Sequence, residues 1–181
     1  MAFSARCSPA RMSSYRFHLN GVEVEALWEG ALWWAGRRLL AISDLHLEKV
    51  ISGGQTGVDR AALDAALEAG LAVGGGCPRG RRAEDGPLDV AYPLTETPSR
   101  DYRQRTRWNV RDADATLVLS WGRVTGGTAL TVRYIRELGR PHRLVALDAA
   151  PDPGPVRAWL REQGVGTLNV AGPREDAEGR I

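Results

Sequence analysis

From Val50 onward, short runs of β-branched and aliphatic residues alternate with amphipathic stretches of helical period, and that alternation admits few folds. Strands are expected at Val50–Ser52, Leu71–Gly75, Ala115–Ser120, Arg143–Leu147 and Gly166–Val170. Helices are expected at Arg60–Ala69, Asp101–Arg111, Thr128–Leu138 and Pro155–Gln163. Gly70, Gly139 and Gly164 stand where a helix C-terminal glycine belongs. Strands that alternate with helices predict a mostly parallel sheet covered on both faces, a Rossmann-like three-layer α/β/α fold.

Residues 15 to 43 have a different texture. Tyr15–Leu19, Val22–Leu27, Ala31–Trp34 and Arg38–Ser43 look like strands, with Asn20-Gly21 and Glu29-Gly30 as turn pairs. A short β-meander appendage is therefore expected over residues 1–48, ahead of a Rossmann-like domain over 49–181. The junction is too short for one continuous parallel sheet, because a parallel crossover needs roughly a dozen residues or more. The strands Arg38–Ser43 and Val50–Ser52 must pair antiparallel, belong to different bodies, or stay partly unformed.

The run Ile51-Ser52-Gly53-Gly54-Gln55-Thr56-Gly57-Val58-Asp59-Arg60 joins the first of the alternating strands to an alanine-rich helix. Glycines let backbone approach a ligand closely, and the free N–H groups and dipole of a helix start favour an anion. Gly53, Gly54, Gln55, Thr56, Gly57, Asp59 and Arg60 are thus candidate phosphate-binding residues, with Thr56 and Asp59 alternatively an N-terminal cap pair. Thr125-Gly126-Gly127-Thr128 opens a second helix in the same manner, with its threonines either capping or donating to ligand. Gly172 follows the last strand, so three glycine-containing turns leave the carboxyl ends of strands, where open α/β sheets collect ligands.

Side chains suited to an anion lie nearby in sequence. Arg79, Arg81 and Arg82 form a cluster in a Pro/Gly-rich loop, where Glu84 and Asp85 offer self-pairing as the alternative. Tyr102, Arg105 and Asn109 share one helical face by their spacing, and Arg174 follows the last strand beside Glu175. Arg100, Arg103, Arg107 and Arg111 read as surface charge, and Trp108 as a packing residue.

Composition limits the partners. The chain of 181 residues carries a net charge of only +2, although its pI is near 8.8 and Lys49 is its single lysine. That excess does not suggest a nucleic-acid binder. Cys7 and Cys77 make neither a disulfide framework nor a metal-ligand spacing, so a reduced, cytoplasmic setting is expected. The basic segment Met1–Arg11 lacks a signal-peptide core, Met12 is an alternative start, and no run is long enough for a membrane span.

Five segments in order carry a family resemblance: the Gly53–Asp59 loop; Gly75-Gly76-Cys77-Pro78-Arg79-Gly80; Leu94-Thr95-Glu96-Thr97-Pro98 continuing to Trp108-Asn109-Val110-Arg111-Asp112; Thr125-Gly126-Gly127-Thr128; and Leu168-Asn169-Val170-Ala171-Gly172-Pro173-Arg174-Glu175. Across 50–178 the chain resembles the molybdenum-cofactor carrier family. That family lies within the Rossmann-like superfamily that includes the cytokinin-activating phosphoribohydrolases. The resemblance implies a binding or carrier protein whose cargo is molybdenum cofactor or a related phosphorylated small molecule, and self-association as a homo-oligomer. Gly76 stands where the family usually has tryptophan, and the chain ends slightly before its relatives.

The alternative implied by the superfamily is a nucleotide-processing N-glycosidic hydrolase. Its second loop reads Gly-Gly-x-Gly-Thr-x-x-Glu, and here Ala129 and Arg133 replace the third glycine and the catalytic glutamate. An arginine does not act as that carboxylate does, so binding is expected rather than catalysis and no catalytic residue is assigned. Residues 15–48 resemble the opening of ligase-associated metallophosphoesterases through Phe17-His18-Leu19-Asn20-Gly21-Val22 and Ser43-Asp44-Leu45-His46-Leu47. After His46 only His142 remains, too few ligands for a two-metal site, so Asp44 and His46 are expected to be vestigial and no metal is expected.

Overall fold

The computed structural model describes residues 47–148 and 152–174, together with four strands between 14 and 42. Those four are β1 (Ser14–Leu19), β2 (Val22–Leu27), β3 (Ala31–Trp34) and β4 (Leu39–Ile42), paired antiparallel in that order. The next strand, β5 (Lys49–Ile51), lies in another sheet, so the short junction is resolved by separating the two strands.

The remaining elements are α1 (Val58–Glu68), β6 (Ala72–Gly74), β7 (Gly76–Cys77), β8 (Arg82–Ala83), β9 (Gly86–Pro87), β10 (Thr95–Glu96), α2 (Tyr102–Asp112), β11 (Ala115–Ser120), α3 (Gly126–Leu138), β12 (His142–Ala146), α4 (Gly154–Glu162) and β13 (Thr167–Ala171). The principal sheet has five strands in the order β12-β11-β13-β5-β6, every neighbouring pair parallel. From β5 the chain moves outward to β6, crosses to β11 and β12, then returns to place β13 between β11 and β5. The carboxyl ends of β5, β13 and β11 consequently stand side by side, where the direction of winding reverses.

Helices cover both faces, giving a Rossmann-like three-layer α/β/α fold. Val58, Ala62, Leu63 and Ala66 of α1 pack with Val156 and Leu160 of α4 and with Val50, Ala115, Leu168 and Val170 of the sheet. On the other face Val110 of α2 and Ile135 of α3 pack on Val118. Strand β11 shows the period-two rule directly: Ala115, Leu117 and Leu119 join the first cluster, and Val118 the second. In α1 the buried positions recur at helical spacing, and Gly70 at φ 72° adopts the left-handed conformation that ends the helix.

Between β6 and α2 lie pieces that no periodic pattern announces. β7 pairs parallel with β10, and β8 with β9 as a small antiparallel hairpin. Strands of two residues have no period to read. Their loop is shaped instead by Arg81, whose guanidinium donates to the carbonyls of Leu88 (2.9 Å), Asp89 (2.6 Å), Tyr92 (2.8 Å) and Leu94 (3.3 Å). Among the described residues no helix is long and apolar enough to cross a membrane.

Candidate functional site

A cavity of about 380 Å³ opens at the carboxyl ends of β5, β11 and β13. Gln55 and Asp59 line it from the first glycine loop, Trp121, Arg123 and Thr125–Thr128 from the loop after β11, and Gly172–Arg174 from the segment after β13. Arg105 and Thr106 of α2 close the remaining side. The three turns therefore do converge, but they contribute unequally.

The start of α3 is open. Thr125 is its N-cap residue and makes no side-chain cap hydrogen bond, while its carbonyl accepts from the Ala129 N–H at 3.1 Å. A Cβ placed on Gly126 or Gly127 would meet nothing within 4 Å. The amides of this first turn have no intrahelical acceptor and stand at the cavity wall. Negative charge is favoured there by the helix dipole.

The start of α1 is closed. Its N-cap residue is Gly57 without a side-chain cap bond, so the expected Thr56–Asp59 cap pair does not form. The Val58 N–H donates to the Pro173 carbonyl at 3.2 Å, and a Cβ on Gly172 would meet the Val58 side chain at 2.7 Å. Gly53, Gly54 and Gly57 are buried and do not line the cavity. Gly54 instead packs under Leu88 and Leu94, and Gly53 under the Arg105 guanidinium. Gly53 and Gly54 make room for protein side chains rather than for cavity space.

Asp59 and Arg105 form a buried ion pair at the inner wall, 3.2 Å apart with side chains 7% and 12% exposed. Burial pushes the Asp59 carboxyl up from the ordinary carboxylate range, while Arg105, the Gln55 amide and Arg174 pull it back. Three polar atoms at this wall are orphaned. Gln55 is 1% exposed; its Nε2 donates to the Arg82 carbonyl at 3.1 Å, but its Oε1 has no partner among the described residues. The Trp121 Nε1 and Arg105 Nε donors are likewise buried without a partner. Such groups cost free energy when left unsatisfied, and here they gather at one cavity.

Tyr102 is surrounded by cations. The guanidinium carbons of Arg174, Arg82 and Arg105 lie 5.2, 5.4 and 6.0 Å from its ring centroid. Arg174 also pairs with Glu84, tying the segment after β13 to the β8–β9 hairpin; the neighbour expected from sequence, Glu175, lies outside the described residues. The arginines bracket Tyr102 because an aromatic face attracts cations.

Other residues singled out from the sequence serve the scaffold. Arg60 pairs with Asp85 and donates to the Gly54 carbonyl at 3.2 Å, Arg81 binds the four carbonyls above, and neither lines the cavity. Asn109 is buried and accepts from the Gly76 N–H at 2.6 Å, fixing β7 rather than facing ligand space. Arg79 lies with Gly80, Glu96 and Arg100 around a separate surface hollow. Trp108 is half-buried beneath Arg111, 5.3 Å from ring to guanidinium. Thr106, Ser120, Trp121, Arg123, Val124, Thr131, Ala171 and Pro173 also line the cavity and were not among the candidate residues read from the sequence. A position just past β11 was the available signal for Trp121 and Arg123. Thr106 and Thr131 give none, because their lining role depends on how α2 and α3 pack. Asp44 and His46 lie outside the described residues, and among those described no group of three or more His, Cys, Asp or Glu gathers as metal ligands would.

Residues 50–181 match the family described as Circularly permutated YpsA SLOG family. The match begins at residue 50, so it does not support the metallophosphoesterase resemblance of residues 15–48. No curated protein matches the chain. A solved structure, "Crystal structure of Putative molybdenum carrier protein" from Syntrophus aciditrophicus SB, is similar at 40% sequence identity with a TM-score of 0.69, covering 72% of this chain and 84% of that one. On the family match and that identity together, the chain belongs to the circularly permutated YpsA family of SLOG proteins.

Proposed function

We propose that this chain is a binding or carrier protein for a phosphorylated small molecule, with molybdenum cofactor as the favoured cargo. The observation that carries the reading is the open amide end of α3 facing a cavity whose far wall holds orphaned polar groups. A phosphate group at the start of α3 takes up the amides of Gly127 and Thr128, with Arg123 beside it. A polar ring at the far wall meets Asp59, Gln55, Trp121 and Arg105. The cavity volume, about 380 Å³, falls within the range usual for small-molecule sites. Molybdenum cofactor, a pterin bearing a phosphate and an oxo-metal group, presents both kinds of end, and the relative from Syntrophus is named for molybdenum carriage. A cytoplasmic setting and self-association belong to the same proposal.

The hydrolase alternative has less behind it. Arg133, at the position of the superfamily's glutamate, is exposed and paired with Glu137 at 2.6 Å, and it does not line the cavity. Among the described lining residues the one carboxylate is Asp59, already held by Arg105.

Gly127→Asp tests the reading. A Cβ fits there without contact, so the variant should fold, while its carboxylate occupies the anion position. Titration calorimetry with a pterin phosphate, and oxidative fluorescence assay of co-purified pterin, should show affinity falling roughly tenfold or more from like-charge repulsion. Wild-type protein that binds no phosphate monoester, or a folded Gly127→Asp that binds as well as wild type, refutes the proposal.

A further inference from the structure

The two ends of the cavity differ in what they ask of a ligand. At the α3 end the protein offers amide donors and dipole. At the inner wall it offers a carboxylate, an unpartnered acceptor in Gln55 Oε1, and unpartnered donors in Trp121 Nε1 and Arg105 Nε. A carboxylate accepts about four hydrogen bonds in all. Asp59 receives one from Arg105 Nη1 and one from the Gln55 backbone N–H, which leaves acceptor capacity. Arg105 is itself engaged with Asp59 at 3.2 Å, so its Nη1 is turned to a partner within the protein rather than to a second anion.

We infer that the inner wall selects a ring edge carrying adjacent N–H donors beside a carbonyl, the amino-oxopyrimidine edge common to guanine and pterins, and not a second oxyanion. Asp59 and Gln55 take the donors, and Trp121 supplies the carbonyl's hydrogen bond. The inference rests on the proposed function, because it assumes that the phosphate of the same ligand lies at α3. It assigns specificity to Asp59, Gln55 and Trp121, and it turns the ligand one way round in the cavity. An edge with a single amino donor beside a ring acceptor, such as that of adenine, either leaves Gln55 Oε1 orphaned or brings a ring nitrogen lone pair against the Asp59 carboxylate, and it has no carbonyl for Trp121. Free molybdate or pyrophosphate gains nothing at this wall.

Burial favours the protonated form of Asp59, with Arg105 of α2, Arg174 after β13 and the Gln55 amide as the groups facing it. A donor edge bound there adds hydrogen bonds to the ionised form, so binding of such a ligand releases a proton and tightens as pH rises. Asp59→Asn should lose that part of the proton release, while the part from the phosphate's own ionisation, with a pKa of about 6, remains in both proteins.

Calorimetry with guanosine, inosine and adenosine monophosphates and with neopterin monophosphate separates the outcomes. The full-length wild-type chain should bind guanosine monophosphate and neopterin monophosphate roughly tenfold or more tighter than adenosine monophosphate, with inosine monophosphate between. The relative strength of the first two identifies which source of the edge the cavity prefers. In Asp59→Asn the preference over adenosine monophosphate should fall towards unity, and Gln55→Leu gives the same readout where Asp59→Asn does not fold. Equal wild-type affinity for guanosine and adenosine monophosphates, or an undiminished preference in either folded variant, overturns the inference. Failure of all four phosphates to bind overturns the functional reading beneath it instead.

Discussion

Substituting Gly53 by alanine should destabilise the fold through a residue distant in sequence. Gly53 does not have a positive φ, so alanine is compatible with its backbone. Its Cβ, however, would lie 1.6 Å from Arg105 Nη1, 2.2 Å from Cζ and 2.8 Å from Nε. The guanidinium must leave, and Asp59 then loses its partner inside the protein, where the pair is only 7% and 12% exposed. Breaking a buried ion pair costs about 3–5 kcal/mol. Asp59 offsets part of that by taking a proton, which burial already favours, so we expect a loss of about 2–4 kcal/mol. At this chain length that is a fall in Tm of roughly 4–16 °C. Urea denaturation of wild type, Gly53→Ala, Arg105→Ala and the double variant measures the coupling. With Arg105 truncated, the added methyl enters vacated space, and Gly53→Ala should cost less than about 1 kcal/mol, a coupling within the range known for contacting residues. An equal cost in both backgrounds would show that the backbone, not Arg105, demands glycine.

Burial holds a proton on Asp59 in the folded chain at pH values where the unfolded chain, titrating near 3.8, has released it. The folded state then binds more protons, so ligand-free stability should fall as pH rises from about 4 through the folded pKa, with a limiting slope of about 1.4 kcal/mol per pH unit. Asp59→Asn should flatten that segment of a stability–pH curve from urea midpoints, and an unchanged slope would assign it to another group. Leu63 is fully buried in α1 against the sheet, and Leu63→Ala should cost about 2–5 kcal/mol by denaturation; a loss below about 1 kcal/mol would mean that the core around α1 is not close-packed.

The amino-acid order by itself determined the layered architecture. Alternation of strand and helix periods from Val50 onward specifies a parallel sheet with helices on both faces, because each element buries a face whose period is written in its residues. The short junction before Val50 likewise excluded a parallel pairing of β4 with β5, and the structure places them in different sheets. Thr125 to Thr128 and Arg174 were legible as candidate residues because the carboxyl ends of parallel strands share one edge, and Tyr102 and Arg105 because their spacing puts them on one helical face. Only the tertiary structure decided which of two similar glycine-rich helix starts remains open. Both have the residue types for an anion site, and local chemistry cannot separate them. What separates them is packing: Pro173 and Val58 close the start of α1, and Arg105 sits over Gly53, whereas nothing described crowds Gly126 and Gly127. The contact between Asp59 and Arg105 spans two elements far apart in sequence, so no local period or spacing could have revealed it.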